Sequence, residues 1–134
     1  MATTEERPPP SGFLRRLLVF AVLFEAATGL ALVVLPGAAC WLLFRATSDG
    51  AGQAMGRLAG LALIALAVAC WPSESARWPQ LGMLAYNALA AILLLSIGSA
   101  GLTVGWLLWP AAIVHVILTA LLAAAMFWKT LTGR

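Results

Sequence analysis

Apolar residues in this chain gather into four long runs, at about positions 14–36, 53–71, 79–99 and 107–128, separated by polar or turn-forming residues. Each run holds roughly 19–23 residues, the length a helix rising 1.5 Å per residue needs to cross about 30 Å of hydrocarbon. Pro36-Gly37 closes the first run and Pro72-Ser73-Glu74-Ser75 the second. Trp78-Pro79 opens the third, Gly98-Ser99-Ala100-Gly101 closes it, and Trp109-Pro110 opens the fourth. Proline in a first helical turn sacrifices no hydrogen bond, because the N–H it lacks has no partner there. The pattern predicts an all-α fold: an integral membrane antiparallel four-helix bundle over residues 13–128.

Composition excludes the soluble alternative. Hydrophobic residues make up 63% and charged residues 10% of 134, with a mean hydropathy of +0.97, against about 45–50% and 25% in soluble domains. So small a soluble domain would have too much surface to cover with so few charges. The net charge of +3 suggests an acidic partner, but the basic residues are scattered, so no nucleic acid is expected and the partner is the lipid bilayer.

The scatter instead reports orientation. With the N-terminus inside, Arg7, Arg15, Arg16, Arg77, Lys129 and Arg134 fall on the cytoplasmic side and Arg45 and Arg57 on the outer side. Short loops rich in Lys and Arg stay inside, so both termini are expected in the cytoplasm. Trp71, Trp78 and Trp128 then mark the inner interface, and Trp41, Trp106 and Trp109 the outer one. Residues 1–12, which include Pro8-Pro9-Pro10, read as a disordered cytoplasmic tail, and 129–134 as a second one. Arg15-Arg16 followed by an apolar segment and Gly37-Ala38-Ala39-Cys40 has the outline of a lipoprotein signal. The segment is too long for one and contains Glu25.

Each run carries one strongly polar residue: Glu25, Arg57, Asn87 and His115. Counted from boundary residues, Glu25 lies about 15 Å from Arg15 and Asn87 about 14 Å from Trp78, a common midplane layer. Arg57 lies about 21 Å from Trp71 and His115 about 20 Å from Trp128, roughly 6 Å higher. Gly29 and Ala21 flank Glu25, Gly56 and Gly60 flank Arg57, Ala90 and Ala91 follow Asn87, and Ala111 and Ala112 precede His115. Small residues at this spacing let helix backbones approach closely. The four polar groups are therefore expected to face inward as one buried cluster, with Glu25 paired to Arg57 or His115, since a lone charge at the bilayer centre costs at least about 2.5–3.5 kcal/mol.

Ionisable residues inside membranes are functional by default, although a buried polar network can also simply hold helices in register. The cluster is the candidate site for ligand binding or proton handling. No enzyme is expected: Ser96, Ser99 and Thr119 give His115 no obvious nucleophile. No metal or cofactor is expected either. His115 is the only histidine, so haem would need a second ligand type or a second chain. Cys40 and Cys70 fall on opposite sides of the membrane and form no C-x-x-C. Gly29-Leu30-Ala31-Leu32 is echoed by Gly60-Leu61-Ala62-Leu63, which reads as low-complexity coincidence.

Several stretches together carry a resemblance: Phe24-Glu25-Ala26-Ala27-Thr28-Gly29-Leu30, Gly56-Arg57-Leu58-Ala59-Gly60-Leu61-Ala62-Leu63 with Ala69-Cys70-Trp71-Pro72, Leu84-Ala85-Tyr86-Asn87, and Leu108-Trp109-Pro110-Ala111 with His115. As a set they resemble a group of small bacterial four-span membrane proteins without an assigned activity, over roughly Leu14 to Trp128. The layout is loosely similar to DoxX-like four-span proteins, with no shared motif. The resemblance implies a bacterial inner-membrane location and no assigned activity; the role expected from the buried cluster itself is that of an accessory or small-ligand-binding membrane protein, alone, as a homo-oligomer or within a larger membrane complex. Glu25 in the first of four short spans also resembles the carboxylate on which small multidrug exporters exchange protons for cations. That likeness covers Glu25 and the span count only, and implies as the alternative a proton-coupled small-molecule transporter.

Overall fold

The computed structural model describes residues 12–72, 77–101 and 103–132, with side chains as far as Trp128. It contains five helices: α1 (Gly12–Val34), α2 (Pro36–Phe44), α3 (Gly50–Ala69), α4 (Trp78–Ser99) and α5 (Leu108–Thr132). Four of them, all but α2, are long and apolar enough to cross a membrane. The expected N-terminal tail lies outside the described residues except for Gly12, which begins α1. α5 runs four residues past the expected end of the last span.

The sequence reading missed α2. Pro36-Gly37 does end the first long run, but Pro36 then occupies the first turn of a new helix, where its fixed φ and missing N–H cost nothing. Nine residues rise about 13 Å, too little to cross a bilayer. The helix ends at Arg45, which adopts the left-handed conformation (φ 51°) while its N–H donates to the Trp41 carbonyl at 2.9 Å. Backbone bonds from Gly105 N–H to Leu43 O (2.9 Å) and from Leu107 N–H to Leu42 O (3.1 Å) then tie the segment before α5 onto the end of α2.

Asp49 caps α3, its Oδ1 accepting from the Gly52 N–H at 2.7 Å. Replacing it with alanine leaves that first-turn donor to water. Asp49→Ala is expected to cost about 0.5–2 kcal/mol, read as a modest drop in the thermal midpoint of detergent-solubilised protein with unchanged helix content.

Every long helix buries one stripe at three- and four-residue spacing. In α1 it runs Leu14, Leu18, Ala21/Val22, Glu25, Gly29; in α3 Gly60, Leu63, Ala67; in α4 Pro79, Met83, Asn87, Ala91; in α5 Leu108, Ala112, His115, Leu118, Leu122. These stripes meet in a core built around Leu14, Leu18, Val22, Met83, Leu118 and Leu122. The opposite faces present large apolar side chains outward, among them Leu23, Leu30, Leu58, Leu61, Leu89, Ile92 and Ile113. Such a surface suits lipid.

Packing is tightest within two antiparallel pairs, α1 with α3 and α4 with α5, and α1 bridges the pairs through its contacts with α5 and α4. The first pair closes on two glycines. A Cβ placed on Gly29 would lie 2.7 Å from the Gly60 carbonyl oxygen, and one on Gly60 would lie 2.5 Å from the Gly29 carbonyl oxygen. The two glycines that open the sequence echo are thus the point of closest backbone approach between α1 and α3.

Candidate functional site

Three of the four expected polar residues come together. Glu25 sits on the buried stripe of α1 between Ala21 and Gly29, Asn87 on that of α4 between Met83 and Ala91, and His115 on that of α5 between Ala112 and Leu118. Glu25 and Asn87 have no exposed surface and His115 has 6%. The His115 imidazole lies level with the other two rather than a layer above them: its Nδ1 is 2.9 Å from Asn87 Oδ1 and 3.8 Å from Glu25 Oε1.

Arg57 does not join them. Its side chain is exposed on α3. Two geometric facts keep it away. The contacts of Gly29 with Leu63 and Ile64, of Gly60 with Val33 and of Gly56 with Pro36 fix the antiparallel register of α1 and α3, so Arg57 is level with the end of α1, about ten residues or roughly 15 Å along the axis from Glu25. In addition α3 packs chiefly on α1 and α2, whereas α4 and α5 pack chiefly on each other and on α1. The stripe through Gly60 continues toward the start of α3 by way of Gly56, where an added Cβ would meet Pro36 at 3.0 Å. Arg57 falls to the side of it.

The local hydrogen bonds fix orientations. Asn87 Nδ2 donates to the Met83 carbonyl at 2.9 Å, one turn back on α4. Its amide is thereby set with Oδ1 toward His115, and an amide oxygen can only accept. The contact at 2.9 Å is therefore His115 Nδ1–H donating to Asn87 Oδ1. Thr28 and Thr119 turn their hydroxyls back to the carbonyls of Phe24 (2.9 Å) and His115 (2.7 Å), so neither is committed to Glu25. Ser96 and Ser99 do the same at the far end of α4, on exposed positions.

Aromatic rings wall the imidazole. Phe24 and Tyr86 each meet it edge-on, with centroids 5.9 Å away, and Phe20 stacks behind Phe24. The Tyr86 hydroxyl is within interaction range of the Glu25 carboxyl but outside hydrogen-bond geometry. Tyr86 is the member that the sequence reading left out. The available signal was its position beside Asn87, on the flank of the same stripe.

The unusual member is Glu25. Both carboxylate oxygens are buried and neither has a hydrogen-bond partner. Leaving buried polar groups unpaired costs about 1–3 kcal/mol, and a charged form costs more. Among the described residues no group of three or more His, Cys, Asp and Glu assembles as a metal site, and Cys40 and Cys70 are free thiols.

No family model, curated protein or solved structure matches the chain. The functional reading therefore rests on the geometry of Glu25, Asn87, His115 and Tyr86.

Proposed function

We propose that this is a multi-pass protein of the bacterial inner membrane, with both termini in the cytoplasm, that binds a small ligand at the Glu25–Asn87–His115 cluster. The primary ligand is a proton exchanged at Glu25. On this reading the protein is not an enzyme, and it needs no metal or haem.

One observation carries the reading: a carboxyl with no exposed surface and no hydrogen-bond partner on either oxygen, at 3.8 Å from a second protonatable group. A residue kept only for helix register would be expected to use its oxygens in bonds between helices, as Asn87 does with His115. A proton is also the one ligand that reaches a fully enclosed carboxyl by hopping along side chains.

The direct test is infrared difference spectroscopy on protein in liposomes, titrated from about pH 4 to 10, a range that brackets ordinary carboxyl and imidazole values. A protonated-carboxyl stretching band that comes and goes with pH, and is absent from Glu25→Gln, is the expected result. A carboxyl that never changes state across that range overturns the reading.

The nearness of His115 to Glu25 favours a second, more specific reading, a proton-coupled small-molecule transporter. Proteoliposomes under an imposed pH gradient should then show solute uptake or efflux that Glu25→Gln abolishes. Absence of flux together with co-purification of a larger complex would mark an accessory protein instead.

A further inference from the structure

Asn87 does more than fill its place in the cluster. Its amide is pinned by Met83 O on one side, so the oxygen it presents to His115 requires a hydrogen on Nδ1. In the neutral imidazole only one nitrogen carries hydrogen. Nε2 is then the bare nitrogen, and it has no hydrogen bond among the described residues. His115 also keeps 8% of its side-chain surface exposed while Glu25 keeps none. Of the two protonatable groups, the imidazole is thus the one that reaches the surface of the bundle.

We propose that His115 is the loading gate of Glu25, taking a proton at Nε2 and passing its Nδ1 hydrogen to Glu25 Oε1, with Asn87 as the positioning residue that holds the receiving tautomer. This inference rests on the proton reading given above and specifies its route.

The step balances in protons. A proton from water binds Nε2 and forms an imidazolium whose Nδ1–H is held by Asn87 Oδ1 at 2.9 Å and faced by Glu25 Oε1 at 3.8 Å. The ring and the carboxyl close by about 1 Å to the 2.7–2.9 Å of a charge-assisted bond. The N–H bond at Nδ1 breaks, the O–H bond on Glu25 forms, and the ring is left neutral with hydrogen on Nε2. Its bare Nδ1 now faces the Asn87 oxygen, two acceptors without a hydrogen between them. That opposition drives the reverse step: Glu25 returns its proton to Nδ1 and Nε2 releases one outward. Asn87 makes the loaded state a transient one.

No other charge intrudes. Glu25 is faced by Tyr86 and Asn87 from α4 and by His115 from α5, with Phe24 and Thr28 next to it on α1. α3 brings Leu63 and Ile64 beside Gly29, and its one charged residue, Arg57, is exposed. α2 carries no titratable side chain besides Cys40, the only one in Pro36–Phe44.

The single histidine makes the test unambiguous. Full-length protein carrying a non-histidine affinity tag and ¹⁵N-labelled histidine, reconstituted in liposomes, would be followed by solid-state NMR through a pH titration. The neutral form should be the Nδ1–H tautomer, favoured roughly tenfold, the worth of one net hydrogen bond. Acid should protonate Nε2. Asn87→Leu should lose that preference, while Glu25→Gln should keep it. An Nε2–H tautomer in the neutral wild type overturns the proposal without any variant, so a misfolded Asn87→Leu does not protect it. An unchanged tautomer ratio in folded Asn87→Leu overturns the role of Asn87. Failure here is separable from failure of the proton reading, which is decided by the Glu25 infrared band.

Discussion

Gly60→Leu is expected to abolish the folded protein, and Gly60→Ala to lower its thermal midpoint sharply. A Cβ at residue 60 meets the Gly29 carbonyl oxygen at 2.5 Å, and the Val33 backbone nitrogen and Cγ2 at 2.9 Å. Two of these three atoms are backbone and cannot rotate aside. α1 and α3 must separate along the crossing that sets their register, and in a bilayer it is this close approach, rather than exclusion of water, that holds helices together. Overpacking ordinarily costs about 1–3 kcal/mol, and the backbone obstruction puts Gly60→Ala at or above the top of that range. Gly50→Ala is the control, because a Cβ there meets nothing within 4 Å. Thermal unfolding in detergent reads both. A Gly60→Ala protein as stable as its control would mean that the two helices do not cross at Gly29 and Gly60.

Glu25→Met carries the opposite sign. It replaces an enclosed carboxyl that has two unpartnered oxygens with an apolar, flexible side chain of similar length. The Asn87–His115 bond does not pass through Glu25, so it survives the change. What is removed is the penalty of a buried group without partners, about 1–3 kcal/mol, and apolar replacement of buried charged groups can stabilise by a similar amount. The expected result is a raised unfolding midpoint with loss of the pH-dependent carboxyl band. A glutamate kept only to hold helices in register predicts the reverse, a lowered midpoint, so one melting curve separates a functional cost from a structural bond. Residues that carry function often sit at such a cost to stability.

The long helices and their inward stripes were legible because 3.6-residue periodicity and span length act locally. The same periodicity put Glu25, Asn87 and His115 on buried faces, each with small residues one turn away. Arg57 was misjudged for a non-local reason. Its depth was counted from tryptophans at the helix ends, whereas the actual register comes from where α1 and α3 cross, and no count along one helix reports that. Nor does a sequence say that α3 packs chiefly on α1 and α2 while α4 and α5 pack on each other. Tyr86 was overlooked because neighbours on a helix diverge by about 100°, so a residue beside Asn87 shares its site only from the flank. α2 was hidden by Pro36, a residue that equally ends one helix and starts the next. That Gly29 and Gly60 meet is likewise a fact of the helix crossing, which no pattern along the chain reports.

The pairing of α1 with α3 and of α4 with α5 has a consequence for biogenesis. Chain order delivers α1, α2 and α3 first, so Glu25 enters the nascent protein with neither Asn87 nor His115 yet synthesised. The later hairpin arrives with the Asn87–His115 bond entirely its own, between two helices that lie next to each other in the chain. Glu25 meets them only when the two halves dock, so the cluster belongs to the union of the halves and to neither half alone.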